Sequence, residues 1–99
     1  MTIRWQTEAV EEVDAIAAFY QGIQPGLEQR FLEVLEDALR RIGRRPQMYQ
    51  TIENDICRCK LPRFPYGIIF RVKPEHLEII AVMHLHRQPG YWRTRGISK

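Results

Sequence analysis

The sequence predicts a single α+β domain in which two helices cover one face of a small antiparallel sheet. Three observations predict it. Apolar residues recur at helical spacing between residues 9 and 42. After Pro46 the hydrophobic period drops from 3.6 to 2. The two regimes follow one another instead of alternating, as they would in an α/β chain. No repeat, linker or low-complexity stretch interrupts residues 1–99, so the 99 residues read as one domain.

Ile3 and Trp5 alternate with polar neighbours and predict a short N-terminal strand. Thr7 stands where an N-cap belongs, and Glu8, Glu11 and Glu12 suit the positive end of the helix that follows. Ala9, Val10, Val13, Ile16, Ala17 and Tyr20 form its apolar face, and Gly22 is its expected stop. Pro25-Gly26 marks a turn. A second helix follows, with Leu27, Phe31, Val34, Leu35, Ala38, Leu39 and Ile42 on its apolar side. It closes on Arg40, Arg41, Gly43, Arg44, Arg45 and Pro46, a run of cations, glycine and proline that ends helices. The short loop makes the two helices an antiparallel hairpin.

A three-stranded antiparallel meander then occupies about 49–61, 65–73 and 77–86, with Lys73-Pro74-Glu75-His76 as the last hairpin turn. Strict alternation puts Cys57, Cys59 and Leu61 on one face and Ile56, Arg58 and Lys60 on the other. It puts Tyr66, Ile68, Phe70 and Val72 opposite Ile69 and Arg71. It puts Leu77, Ile79, Ala81, Met83 and Leu85 opposite Ile80, Val82, His84 and His86. The more apolar faces are expected under the helices. The other face then gathers Arg58, Lys60, Arg71, His84 and His86 around Ile69, Ile80 and Val82, a mixed surface open to a ligand or partner. The first strand is expected at one sheet edge, which leaves the opposite edge for a partner.

Charge divides along the chain. Residues 1–56 carry six Lys/Arg and ten Asp/Glu; residues 57–99 carry nine Lys/Arg and two acids, Glu75 and Glu78. The second half is therefore strongly basic and interleaved with aromatic residues, the pattern of a surface that meets an acidic partner. The N-terminal residues lack a signal peptide's apolar core, and no apolar run has the length of a membrane span, so a cytoplasmic protein with reduced thiols is expected.

Cys57-x-Cys59 with His84-x-His86 has the residue types of a zinc site, but alternation points the two pairs to opposite faces and the cysteine gap is one residue. No metal and no cofactor are expected. His84 and His86, with Arg71 and Arg87 nearby, have the composition of an acid–base or phosphate-holding group. Arg63-Phe64-Pro65-Tyr66 reads as a proline-stiffened strand entry. Tyr91-Trp92 reads either as an aromatic lid over the core or as a stacking platform. Arg93, Arg95 and Lys99 form a basic tail, either solvated or reaching. No glycine-rich phosphate loop or Ser/His/Asp arrangement is present; Glu53 and Asp55, at the edge of the first long strand, are the acids available as a general base.

Two segments resemble the RelE/ParE superfamily of type II toxin–antitoxin toxins, in its ParE-like or "plasmid stabilisation" branch. They are Arg63-Phe64-Pro65-Tyr66-Gly67-Ile68-Ile69-Phe70-Arg71-Val72 and Ala81-Val82-Met83-His84-Leu85-His86-Arg87-Gln88-Pro89-Gly90-Tyr91-Trp92. The resemblance spans nearly the whole chain. It implies a growth-inhibiting toxin neutralised by a cognate antitoxin, often encoded beside it, whose acidic amphipathic segment wraps the toxin. ParE-like members act on DNA gyrase and are not nucleases; RelE-like members are ribosome-dependent mRNA endoribonucleases. The first activity is the expectation, with the endoribonuclease, or a toxin-fold binding protein that has lost activity, as alternatives. For a nuclease the resemblance carries over Arg58, Lys60, Arg71, His84 or Arg87, and Tyr91 as the C-terminal aromatic acid/base. For contact with antitoxin or target the candidates are Arg58, Lys60, Arg63, Arg71, His84, His86, Arg87, Tyr91 and Trp92.

Overall fold

The computed structural model describes residues 2–95; Lys99 of the expected basic tail lies outside them. The chain opens on strand β1 (Thr2–Trp5) and enters helix α1 (Thr7–Ile23). Gln6, not Thr7, holds the N-cap position. Its backbone carbonyl accepts from the amides of Ala9 and Val10 at 3.0 and 3.2 Å, while its side chain donates to Glu78 at 3.1 Å. The helix continues through Gly22 to Ile23. Gly26, at φ 96°, takes the left-handed conformation that glycine tolerates and starts α2 (Leu27–Arg44). Ala9, Ile16 and Tyr20 of α1 are buried with Phe31, Leu35, Ala38, Leu39 and Ile42 of α2. Val10, expected on the buried face, is 42% exposed.

After a 3₁₀ turn at Pro46–Met48 come β2 (Gln50–Glu53), β3 (Ile56–Lys60), β4 (Tyr66–Val72) and β5 (His76–His84). The expected single run at 49–61 is two strands. Asn54, at φ 50°, and Asp55 turn the chain between Glu53 and Ile56, because Asn accepts the left-handed region better than most side chains. The sheet order is β1-β5-β4-β3-β2. β1 sits at an edge, as expected, and pairs in parallel with β5; the other pairs are antiparallel. The α+β class and the order strand, helical hairpin, meander hold.

Strict alternation fails in β5. Ile69 faces Ala81 but Phe70 faces Ile79, so Ile80 is an extra residue in a β-bulge. One inserted residue reverses the facing of everything beyond it. Leu77, Ile79 and Val82 therefore pack under the helices, with Cys57, Cys59, Leu61, Ile68 and Phe70. Ile80, Ala81 and Met83 pack on the far face with Ile56 and Ile69. The expected placement of Ala81 and Met83 under the helices, and of Val82 and His84 opposite them, is overturned.

The far face is not open. Its apolar patch is covered by the 3₁₀ turn Tyr91–Thr94, whose Trp92 is 1% exposed. Of the two readings of Tyr91-Trp92, the lid describes Trp92. Both cysteines are free, buried and under the helices.

Candidate functional site

At one end of the sheet the β3–β4 loop meets the segment after β5. Leu85 donates its amide to the Pro65 carbonyl at 2.8 Å, and Leu61 donates to the Tyr66 carbonyl at 2.8 Å. Within this loop Arg63 takes φ 69°, a left-handed conformation that costs a non-glycine residue roughly 1–2 kcal/mol. The two rings that follow it hold the loop in place. Phe64 and Tyr66 pack against Tyr20 and Phe31 of the helical hairpin, with centroids 5.1 to 6.3 Å apart. Phe64 and Tyr66 are thus anchors, and Arg63, just ahead of them in the chain, is exposed. Lys60, Arg63, His86 and Arg87 are all exposed around this end, and no acid occurs between residues 56 and 74 to neutralise them.

His84 lies inside the rim. Its ring stands edge-on to Tyr66 at 5.1 Å and to His86 at 5.3 Å. Its Nδ1 accepts the His86 amide at 3.1 Å, so the neutral ring carries its proton on Nε2. A shallow cleft bordered by Glu12, Ile16, Tyr66, His84, Arg87 and Tyr91 lies beside it.

The side chain that organises this corner is Glu12 of α1. Beyond Trp5 the edge of β5 has no strand beside it. Glu12 accepts the Val82 amide at 3.0 Å there, and Arg95 donates to the Ile80 carbonyl at 3.0 Å. Arg95 donates to the Glu12 carboxylate through both terminal guanidinium nitrogens at 3.0 and 2.9 Å, with side chains only 13% and 16% exposed. An ion pair thus occupies the place of a strand. The Tyr91 hydroxyl donates to the same carboxylate at 2.6 Å, and its ring lies under the Arg87 guanidinium at 3.5 Å. Burial, then the bond to Glu12 and its charge, push the Tyr91 hydroxyl far above the ordinary tyrosine range.

The remaining candidates lie apart from this corner. Arg58 faces away from the helices, its stem crossing Gly67 and its Nη2 on Gln50 at 3.2 Å. Arg71 is 9% exposed and donates to the Asp55 carboxylate at 3.1 Å. From Tyr66 to Arg71 is five residues of strand, roughly 17 Å. Glu53, the other acid considered as a base, is held by Arg93 at 2.6 to 2.9 Å, which keeps its carboxyl below the usual range. Arg93 in turn fills the space beside Gly90, at φ 91°, where any side chain would collide with the guanidinium. The basic tail is therefore a pinned segment as far as Arg95. Among the described residues no helix is long and apolar enough to cross a membrane.

The family described as "ParE toxin of type II toxin-antitoxin system, parDE" matches residues 3–89. No curated protein matches the chain. Among solved structures, a chain of the chromosomal ParDE TA system from P. aeruginosa superposes with a TM-score of 0.76 at 18% identity, covering 87% of this chain and 97% of that one. That likeness carries the fold.

Proposed function

The chain belongs to the ParE toxin family of type II toxin–antitoxin systems, and from that premise we propose that it arrests growth by acting on DNA gyrase and not by cutting RNA. One observation carries the choice: the hydroxyl that a nuclease would use as acid/base, on Tyr91, is donated to Glu12 at 2.6 Å inside a structural ion pair. A phosphodiester-cleaving site needs a proton donor and cations converging on one phosphate. Here Arg71 is bound to Asp55 and Arg58 lies on the far face, while His84 stands beside Tyr66. Membership in the family also supplies a partner, a cognate antitoxin. The exposed rim of Lys60, Arg63, His86 and Arg87 suits an acidic antitoxin segment.

Expression is expected to arrest growth, and co-expression of the antitoxin to relieve it. Purified toxin with gyrase and plasmid is expected to accumulate cleaved DNA while leaving ribosome-bound messages whole. Messages cut at ribosomes, with the cutting abolished by Arg71→Ala and Tyr91→Ala, would replace this reading by the endoribonuclease. Antitoxin binding without either effect would leave a binding protein.

A further inference from the structure

The arginine run that ends α2 does more than terminate a helix. Two cations suffice to complement a helix's negative end, and each contributes only a few tenths to one kcal/mol, roughly, at an exposed site. Here Arg40, Arg41, Arg44 and Arg45 fall within six residues, and no acid occurs from 38 to 52. Arg40 and Arg41 share one carboxylate, Asp37, at 3.8 and 3.2 Å. Arg44 makes no ion pair among the described residues, and the Arg45 guanidinium rests on the Met48 sulfur at 3.8 Å. Arg41, Arg44 and Arg45 line a cleft of about 440 Å³ with Met48 and Tyr49, and no carboxylate borders it. The neighbouring concavities, by contrast, include Glu33 and Asp37, or Glu36.

The cleft is also held in shape. The Arg45 amide donates to the Arg41 carbonyl at 3.2 Å, and the Arg45 carbonyl accepts the Met48 amide at 3.1 Å. Pro46, which follows Arg45, is buried. Asp37 balances Arg41, but Arg44 and Arg45 bring two further like charges to the same concavity with no carboxylate on its lining, and an anion lying there relieves their repulsion.

We propose that this cleft is a docking surface for the phosphate backbone of duplex DNA. Arg41 and Arg44 stand in the last turn of α2 and Arg45 at its C-cap, so the three cations cluster at one helix end, an arrangement suited to contacts with neighbouring backbone phosphates. Single strands are held by rings open for base stacking. The one ring here, Tyr49, is half-buried and stands edge-on to Phe70 at 5.9 Å, so it offers no platform. The contact is therefore to phosphate and independent of sequence. It is independent of gyrase as well, because the cleft needs no second protein.

The test is fluorescence anisotropy of the purified chain with a labelled mixed-sequence duplex, and with a single strand and an RNA hairpin of equal length, across a salt series. Three phosphate contacts predict a log–log salt slope of about −2.7 for the duplex. Combining R41Q, R44Q and R45Q is expected to flatten that slope and weaken binding at least about tenfold at low salt. Arg44→Gln alone is expected to remove about one unit of slope. The triple lysine variant retains most of it, and Arg30→Gln, exposed earlier on α2, changes nothing. Circular dichroism confirms that each variant is folded. Unchanged duplex binding by the triple glutamine variant overturns the proposal. So does absence of duplex binding at low salt, or tighter binding to the single strand or the RNA.

Discussion

Glu12 satisfies a strand amide, an arginine and a tyrosine hydroxyl at once, and its side chain is only 16% exposed. Removing one member of a buried ion pair leaves the other uncompensated, at a cost of about 3–5 kcal/mol. Glu12→Ala is therefore expected to lower unfolding free energy by about 3 kcal/mol in a denaturant titration, with faster hydrogen exchange at the Val82 amide. Glu12→Gln retains an acceptor and is expected to lose less. Tyr91 supplies a pH prediction. Its hydroxyl titrates higher in the folded chain than in the unfolded one, so the neutral form carries the stability. That contribution is full below the ordinary tyrosine range and is lost as pH rises through it toward the folded value. Unfolding midpoints are expected to fall in strong alkali, and less steeply in Tyr91→Phe. A residual slope remains because burial also raises Tyr20 and Tyr49. In the sequence Glu12 reads as one of three acids at a helix start. Its partners are 70 to 83 residues away, and only its place beside Ala9, Val13 and Ile16 on the apolar stripe hints that it faces inward.

The bulge at Ile80 decides which side chains the sheet shows to which layer. Hydrophobic alternation predicts the strands well where they stay regular. Cys57, Cys59 and Leu61 do lie under the helices, and Ile56 on the far face. It cannot register an insertion inside an unbroken apolar run such as Ile79 to Met83, where every residue satisfies either face. The far face consequently carries a second small core that strict alternation leaves uncovered, and the Tyr91–Thr94 turn is its cover. Trp92→Ala is expected to destabilise by about 3–5 kcal/mol in thermal or denaturant unfolding. Trp92→Phe is expected to cost far less, since the buried indole N–H that it removes has no hydrogen-bond partner among the described residues.

Across the molecule the acidic helical half and the basic sheet half were legible from charge counts alone. How that charge is spent was not. Arg71, Arg93 and Arg95 balance Asp55, Glu53 and Glu12 within the fold, while Lys60, Arg63, His86 and Arg87 stay exposed at one end. Exposed charge governs encounter more than retention. Replacing Lys60, Arg63 and Arg87 with glutamine is expected to slow association with the antitoxin tenfold or so at low ionic strength, with a smaller change in dissociation. Stopped-flow mixing at two salt concentrations separates the two. Equal losses in both rates would instead mark these side chains as short-range anchors.

The edge of β5 is closed twice, by residues 2–5 in parallel pairing and by Glu12 with Arg95 beyond them. The partners come from far apart in the chain: Thr2 meets His76, and Glu12 meets Arg95. Contacts of such separation form late and slowly, because the intervening loop must close first. During synthesis the helical hairpin emerges early with its apolar face bare, and the edge of β5 stays unsealed until Arg95 has left the ribosome. The fold of residues 2–95 thus closes only once Arg95 is available, and until then the upper edge of β5 stays open to pairing by another chain.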